Sequence, residues 1–266
     1  MKNANMNIST FFNMRKMANK LLPRFRGYVI TFLLFLGYSM ATCSSTTPVH
    51  ILEKENFSMF GFGDLFFAIF GQNKMLVFVL VMCFLKYKSN LDNNSFFCIG
   101  KILLKKFINI SVCLIVIFAS VFLAYTLSTN ISSFNLGFSD RSVFRFILPA
   151  QWAILLSFVF SLFYIVTFSL IASIIEYLTH KSWIAILISI VIAYLDVGIR
   201  VSFQSKGLIG ILLTDNVSVF YLDSIYNGIN RPSYIYSFIY WIIMITALCF
   251  LCFLLNQKRR IAGDNQ

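Results

Sequence analysis

Apolar positions along this chain gather into long runs, with polar positions collected between them. Five runs stand out, at about 27 to 43, 107 to 127, 149 to 175, 183 to 200 and 234 to 255. An apolar run of about 20 residues crosses a bilayer as a helix, because a helix closes its own backbone hydrogen bonds where no water can do so. A sixth span falls in a more mixed stretch. Either one helix from 65 to 85 carries Gln72, Asn73 and Lys74 towards the bundle interior, or residues 57 to 71 form a surface helix before a shorter span at about 75 to 88. The cost of a lysine at mid-bilayer favours the surface helix. The pattern predicts an all-α polytopic membrane protein, a bundle of six transmembrane helices forming one domain over residues 1 to 266.

The segments between the runs have patterns of their own. In residues 1 to 26, Phe11, Met14, Met17, Ala18, Leu21 and Leu22 recur at helical spacing, interleaved with Arg15, Lys16 and Lys20. This predicts a basic amphipathic N-terminal helix lying on a membrane surface, with Ser9 as its N-cap and Pro23 breaking the pattern before the first span. Phe96, Ile99, Leu103 and Phe107 predict a second amphipathic helix, in the loop from Lys86 to Lys106. Pro149 suits the first position of the fourth span, where its missing N–H does least harm. Only Glu176 to Ser182 lies between the fourth and fifth spans, which forces an antiparallel pair. The longest loop, 201 to 233, contains the apolar run Leu208 to Leu213 and the aromatic segment Val217 to Tyr226, a pattern suited to short surface or re-entrant helices.

Composition agrees with the span pattern. Of 266 residues, 59% are hydrophobic and 12% charged, against about a quarter charged in soluble domains. The formal net charge is +12, but the basic residues flank apolar spans instead of lining a soluble surface, so nucleic acid is not the expected partner. With six spans and both termini in the cytosol, fifteen Lys and Arg fall inside and seven outside. That distribution follows the positive-inside rule and predicts a multi-pass protein of the cell membrane with a cytosolic tail at 256 to 266. Met40, Ala41, Thr42 and Cys43 loosely resemble a lipoprotein cleavage site. The preceding basic region is long for a signal peptide, however, and Thr42 stands where a smaller residue is expected.

The spans are poor in reactive groups. They contain no His and no carboxylate pair, so no catalytic residue, metal ligand or cofactor-binding residue is assigned. Cys249 and Cys252 have CxxC spacing, but zinc needs further ligands and none lies nearby in sequence. Asp196 stands four residues before Arg200, a spacing that fits an ordinary ion pair near a helix end or a gate at the outer end of a pathway. Glu176 closes the fourth span as an interfacial carboxylate or as a contact for a cytosolic partner. A phosphate-binding loop GxxxxGK[ST] does not occur, so the chain is not expected to be an enzyme, and any ATP hydrolysis must come from another polypeptide. Two amphipathic segments on one side remain, either as interfacial anchors in lipid or as docking surfaces.

This order of elements resembles the permease subunits of type-2 ATP-binding-cassette exporters, including bacteriocin-immunity and multidrug-export permeases of low-GC Gram-positive bacteria. The basic N-terminal segment ending at Pro23, the basic loop Lys86 to Lys106, the tight turn Glu176 to Ser182 and the aromatic outer loop before the last span carry the resemblance. It implies a permease that pairs with an identical or different permease, binds two cytosolic ATPase subunits and passes substrate along the dimer interface. It further implies that Phe96, Phe97, Ile99, Lys101 and Lys105, with Glu176, take the ATPase contact beside the N-terminal helix. The apolar interior suggests a hydrophobic or amphiphilic substrate such as an antimicrobial peptide or drug. The alternative class is a membrane protein that binds a partner or confers immunity without transport.

Overall fold

The computed structural model describes residues 27 to 41, 61 to 66, 96 to 128, 149 to 203, 210 to 217 and 233 to 263. These are almost wholly helical, with no strand among them. The helices are α1 (Gly27–Ala41), α2 (62–66), α3 (Phe96–Ser128), α4 (Ala150–Thr179), α5 (Ser182–Phe203), α6 (Leu213–Val217) and α7 (Tyr234–Gly263). Four contain stretches long and apolar enough to cross a membrane: Lys106–Ser128, Gln151–Thr179, Ser182–Ile199 and Tyr234–Leu255. The chain is therefore an all-α membrane protein, and these stretches occupy the places of the last four expected spans. At the place of the first, α1 is a shorter apolar helix. The N-terminal amphipathic segment and most of the second span lie outside the described residues.

Burial follows helical geometry. On α1, Gly27, Thr31, Phe35 and Ser39 are buried at four-residue intervals, while Val29, Ile30, Leu33 and Leu34 are exposed. Residues four apart share one helix face, so α1 packs along a single stripe and leaves its other, apolar side exposed. The stripe on α5 is Ala185, Ser189, Ala193 and Asp196, again buried beneath an exposed face of Trp183, Leu187, Val191 and Leu195. Small side chains at this spacing let two backbones approach closely, which is how membrane helices associate when lipid offers no hydrophobic drive.

The central helix is α4, which packs against α3, α5, α6 and α7. Every residue from 164 to 170 is buried, so its middle has no lipid-facing side. Of its most apolar stretch 56% is buried, against 11% for α7. A helix apolar on all sides belongs at the centre of a bundle, and the sequence of α4 has that character. Three pairs, Phe160 with Phe238, Tyr164 with Trp241, and Tyr177 with Leu255, show α4 and α7 running side by side in the same direction.

Local chemistry sets the ends of α4. Pro149 occupies the N-cap, and its carbonyl accepts the N–H groups of Trp152 and Ala153 at 3.0 and 3.1 Å. At the other end His180 takes a left-handed conformation, φ 55°, and donates its N–H to the Glu176 carbonyl at 2.8 Å. The turn into α5 is thus tighter than its sequence suggests: α4 continues through Thr179 and α5 begins at Ser182. The hydroxyl of Ser182 donates to Glu176 Oε1, which ties the two helix ends together.

Residues 61 to 66 are buried, the Phe62 ring lying edge-on to Phe118, Phe122 and Tyr125 of α3. The described part of the expected surface helix is therefore covered by protein. Gly61 donates its N–H to Asp64 Oδ2 at 3.0 Å, an N-terminal cap made within one turn.

Candidate functional site

Among the described residues, two polar clusters interrupt the apolar interior. The larger surrounds α6, the short helix that precedes α7. The chain turns at Gly210, whose φ of 96° is a conformation open to glycine at little cost. Gly210 donates its N–H to Asp215 Oδ2 at 3.2 Å, and its carbonyl accepts from Asn216 Nδ2 at 2.8 Å and from the Tyr236 hydroxyl at 3.2 Å. Both halves of this peptide turn are satisfied by side chains, so an irregular backbone can lie against the bundle without unpaired groups.

Asp196 of α5 anchors the start of α6. Its carboxylate accepts the N–H groups of Leu213 at 3.1 Å and Thr214 at 2.7 Å, and also the Thr214 hydroxyl. The first amides of a helix have no partner within it and carry its positive dipole end, so a carboxylate placed there is stabilised by both effects. Asn216 then joins α6 to α7. Its Oδ1 accepts the Ser237 hydroxyl at 2.9 Å, its Nδ2 also reaches the Leu212 carbonyl at 3.0 Å, and its own carbonyl accepts Trp241 Nε1 at 2.9 Å. Tyr240 donates its hydroxyl to the Ile211 carbonyl at 2.9 Å. With Ser237 and Trp241 near the start of α7, α6 packs beside roughly the first 5 to 10 Å of that apolar helix.

The smaller cluster lies towards the opposite end. Lys106, at the start of the apolar part of α3, donates from Nζ to Ser173 Oγ of α4 at 2.8 Å. Ser173 in turn donates to the Ser169 carbonyl at 2.8 Å. Cys249 and Cys252 of α7 and Glu176 of α4 lie within electrostatic reach of the ammonium group. At this end α3 extends back to Phe96 and α7 forward to Gly263, beyond their apolar stretches. Phe96, Phe97, Ile99, Lys101 and Lys105 fall within that extension of α3. Lys258, Arg259 and Arg260 fall within that of α7.

The sequence-derived candidates are therefore separated. Glu176 and the α3 extension share the Lys106 end, Asp196 belongs to the α6 cluster, and Arg200 follows it one turn later on α5, its side chain outside the described residues. Phe11, Met14, Arg15, Lys16, Met17, Lys20 and Leu21 lie outside the described residues. Sequence reasoning did not single out Thr214, Asn216, Ser237 or Lys106. A sequence signal was present for Asn216, a polar Thr-Asp-Asn triplet directly after an apolar run. None pointed to the donors that Asp196 receives from positions far along the chain. Among the described residues no group of His, Cys, Asp and Glu could hold a metal ion. Compared with known proteins, the chain matches no family model, no curated protein and no solved structure.

Proposed function

We propose that this protein is the membrane-spanning permease subunit of an ATP-driven exporter, moving a hydrophobic or amphiphilic substrate with a separate ATPase subunit. In this reading the chain has six spans, both termini lie in the cytosol and the Lys106 end faces the ATPase. One observation carries the reading. The amphipathic segment from Phe96 and the apolar stretch from Lys106 are one unbroken helix, α3, and not a span with a detached loop. A force applied to Phe96, Phe97, Ile99, Lys101 or Lys105 would pass along a continuous rod to the Lys106–Ser173 contact with the central helix. Two further features support it: the basic extension of α7 emerges at the same end, and the short buried helix α6 lies at the other, within the aromatic loop on which the exporter resemblance rests.

Purification of the tagged chain from its native membranes tests the reading. An exporter subunit brings with it a nucleotide-binding protein and measurable ATP hydrolysis. Repeated recovery of a homogeneous lone chain without ATPase activity sinks the proposal and leaves a partner-binding or immunity protein.

A further inference from the structure

Hydroxyl groups inside membrane helices commonly donate to a carbonyl one turn back, and several of those described here do. Thr31, Ser39, Ser173, Thr179 and Ser189 each bond to the carbonyl four residues earlier. Three hydroxyls of α4 depart from this pattern. Ser157, Ser161 and Thr167 are 1%, 5% and 0% exposed, and none of their oxygens has a hydrogen-bond partner. An unmet buried hydroxyl costs about 1 to 3 kcal/mol, so three on one helix are a substantial burden in this state.

Their placement is not scattered. At about 100° per residue, Thr167, Phe160, Tyr164, Ser157 and Ser161 fall within about a third of the α4 circumference. The direction of that face is fixed by its rings. Phe160 packs on Phe238 at a centroid distance of 5.0 Å, and Tyr164 meets Trp241 at 6.1 Å, edge to face. Phe163 also meets Phe238, at 6.0 Å, so Thr167 lies within the seam between α4 and α7, the helix with the least buried span, while Ser157 and Ser161 follow it at the edge of that seam. Within α4 the only acidic or basic residue is Glu176, beyond this seam at the end of the helix, and Asp196 of α5, within electrostatic reach of Tyr164, is engaged by the Leu213 and Thr214 amides. Aromatic rings with neutral hydroxyls suit a ligand with an apolar body and uncharged hydrogen-bonding groups.

We infer that the Ser157–Ser161–Thr167 face is a cargo-binding strip, closed in this state and opened when α7 moves away from α4. It would take the amide or ester carbonyls and hydroxyls of a neutral amphiphile. The inference rests on the transport reading but places a cargo contact inside the protomer, in addition to the interface between protomers.

The test uses the full chain in liposomes, with its six native cysteines replaced by alanine and one cysteine introduced at a time. The probe is a membrane-impermeant sulfonated methanethiosulfonate. Ser157→Cys, Ser161→Cys and Thr167→Cys should react roughly tenfold faster than Val166→Cys, a fully buried position on another side of α4. An excess of a neutral N-lauroyl dipeptide amide should slow those three reactions. Equal, slow labelling at all four positions overturns the strip, and labelling unmoved by the amphiphile overturns its assignment to cargo. In the native-cysteine chain, Ser157→Ala, Ser161→Ala and Thr167→Val together should leave the unfolding temperature unchanged or raised. A marked fall would show that these hydroxyls are satisfied within the fold, and would also overturn the inference. Fast, amphiphile-sensitive labelling in a chain that recruits no ATPase would refute ATP-driven export while leaving the binding strip standing.

Discussion

Asp196 and Lys106 are both ionisable side chains set in apolar helices, and the protein treats them in opposite ways. Asp196 faces the open end of a short helix, where two backbone N–H groups and a hydroxyl converge on its carboxylate. Those donors belong to a peptide segment that has few other means of satisfying its backbone. Lys106 donates to a side-chain hydroxyl, that of Ser173, at the border between the apolar stretch of α3 and its polar extension. A carboxylate wrapped by fixed amides acts as a staple. An ammonium bonded to a hydroxyl can be remade with water if the helix shifts. Under the proposed transport function, the α6 end serves rigidity and the Lys106 end transmits movement.

The strongest challenge to this contrast is Asp196→Ala. It strands the Leu213 and Thr214 amides at a buried site and should destabilise the protein by about 3 kcal/mol, read as a large fall in unfolding temperature in detergent. Asp196→Asn retains an acceptor and should cost less than half as much. An Ala variant as stable as the parent would show that α6 is not held by this carboxylate.

Next in size is Asn216→Leu, which removes bonds to Gly210, Leu212 and Ser237 together and should cost about 2 kcal/mol. Because Trp241 Nε1 donates to the Asn216 carbonyl, the same change should shift the tryptophan emission. Ala193→Leu probes the small-residue stripe of α5. Forcing three extra carbons between α4 and α5 should cost about 1 to 3 kcal/mol, whereas Ala at Ser189 should be nearly neutral. Lys106→Met completes the comparison at the mild end. It loses the hydrogen bond to Ser173 but also relieves the desolvation of a charge, so stability should change by no more than about 1 kcal/mol. If Lys106 links the α3 extension to α4, the variant stays folded while ATPase activity in the complex no longer responds to substrate. A Lys106→Met protein as unstable as Asp196→Ala would erase the distinction between the two ends.

The apolar helices were legible in the sequence because a bilayer imposes a length and a composition that local pattern reveals directly. Pro149 marked where α4 starts, since its backbone cannot donate. The two-residue turn at His180 and Lys181 was narrower than expected, because a left-handed His180 lets α4 run to its last possible residue. The partners of Asp196 could not be read, because they lie 17 and 18 positions away, and spacing along one helix points only to Arg200. Lys106 looked like one more loop charge. Its role depends on the direction in which a flexible side chain points once α4 is beside it, and no local pattern encodes that.

The central claim, that a cytosolic ATPase acts on this chain through the α3 extension, can be tested by site-specific photo-cross-linking in native membranes. A photoreactive amino acid at Ile99 should capture a nucleotide-binding protein, while the same group at Ile235, at the opposite end of the bundle, should not. Adducts with lipid alone at Ile99, in a chain that remains folded and membrane-inserted, would contradict the account.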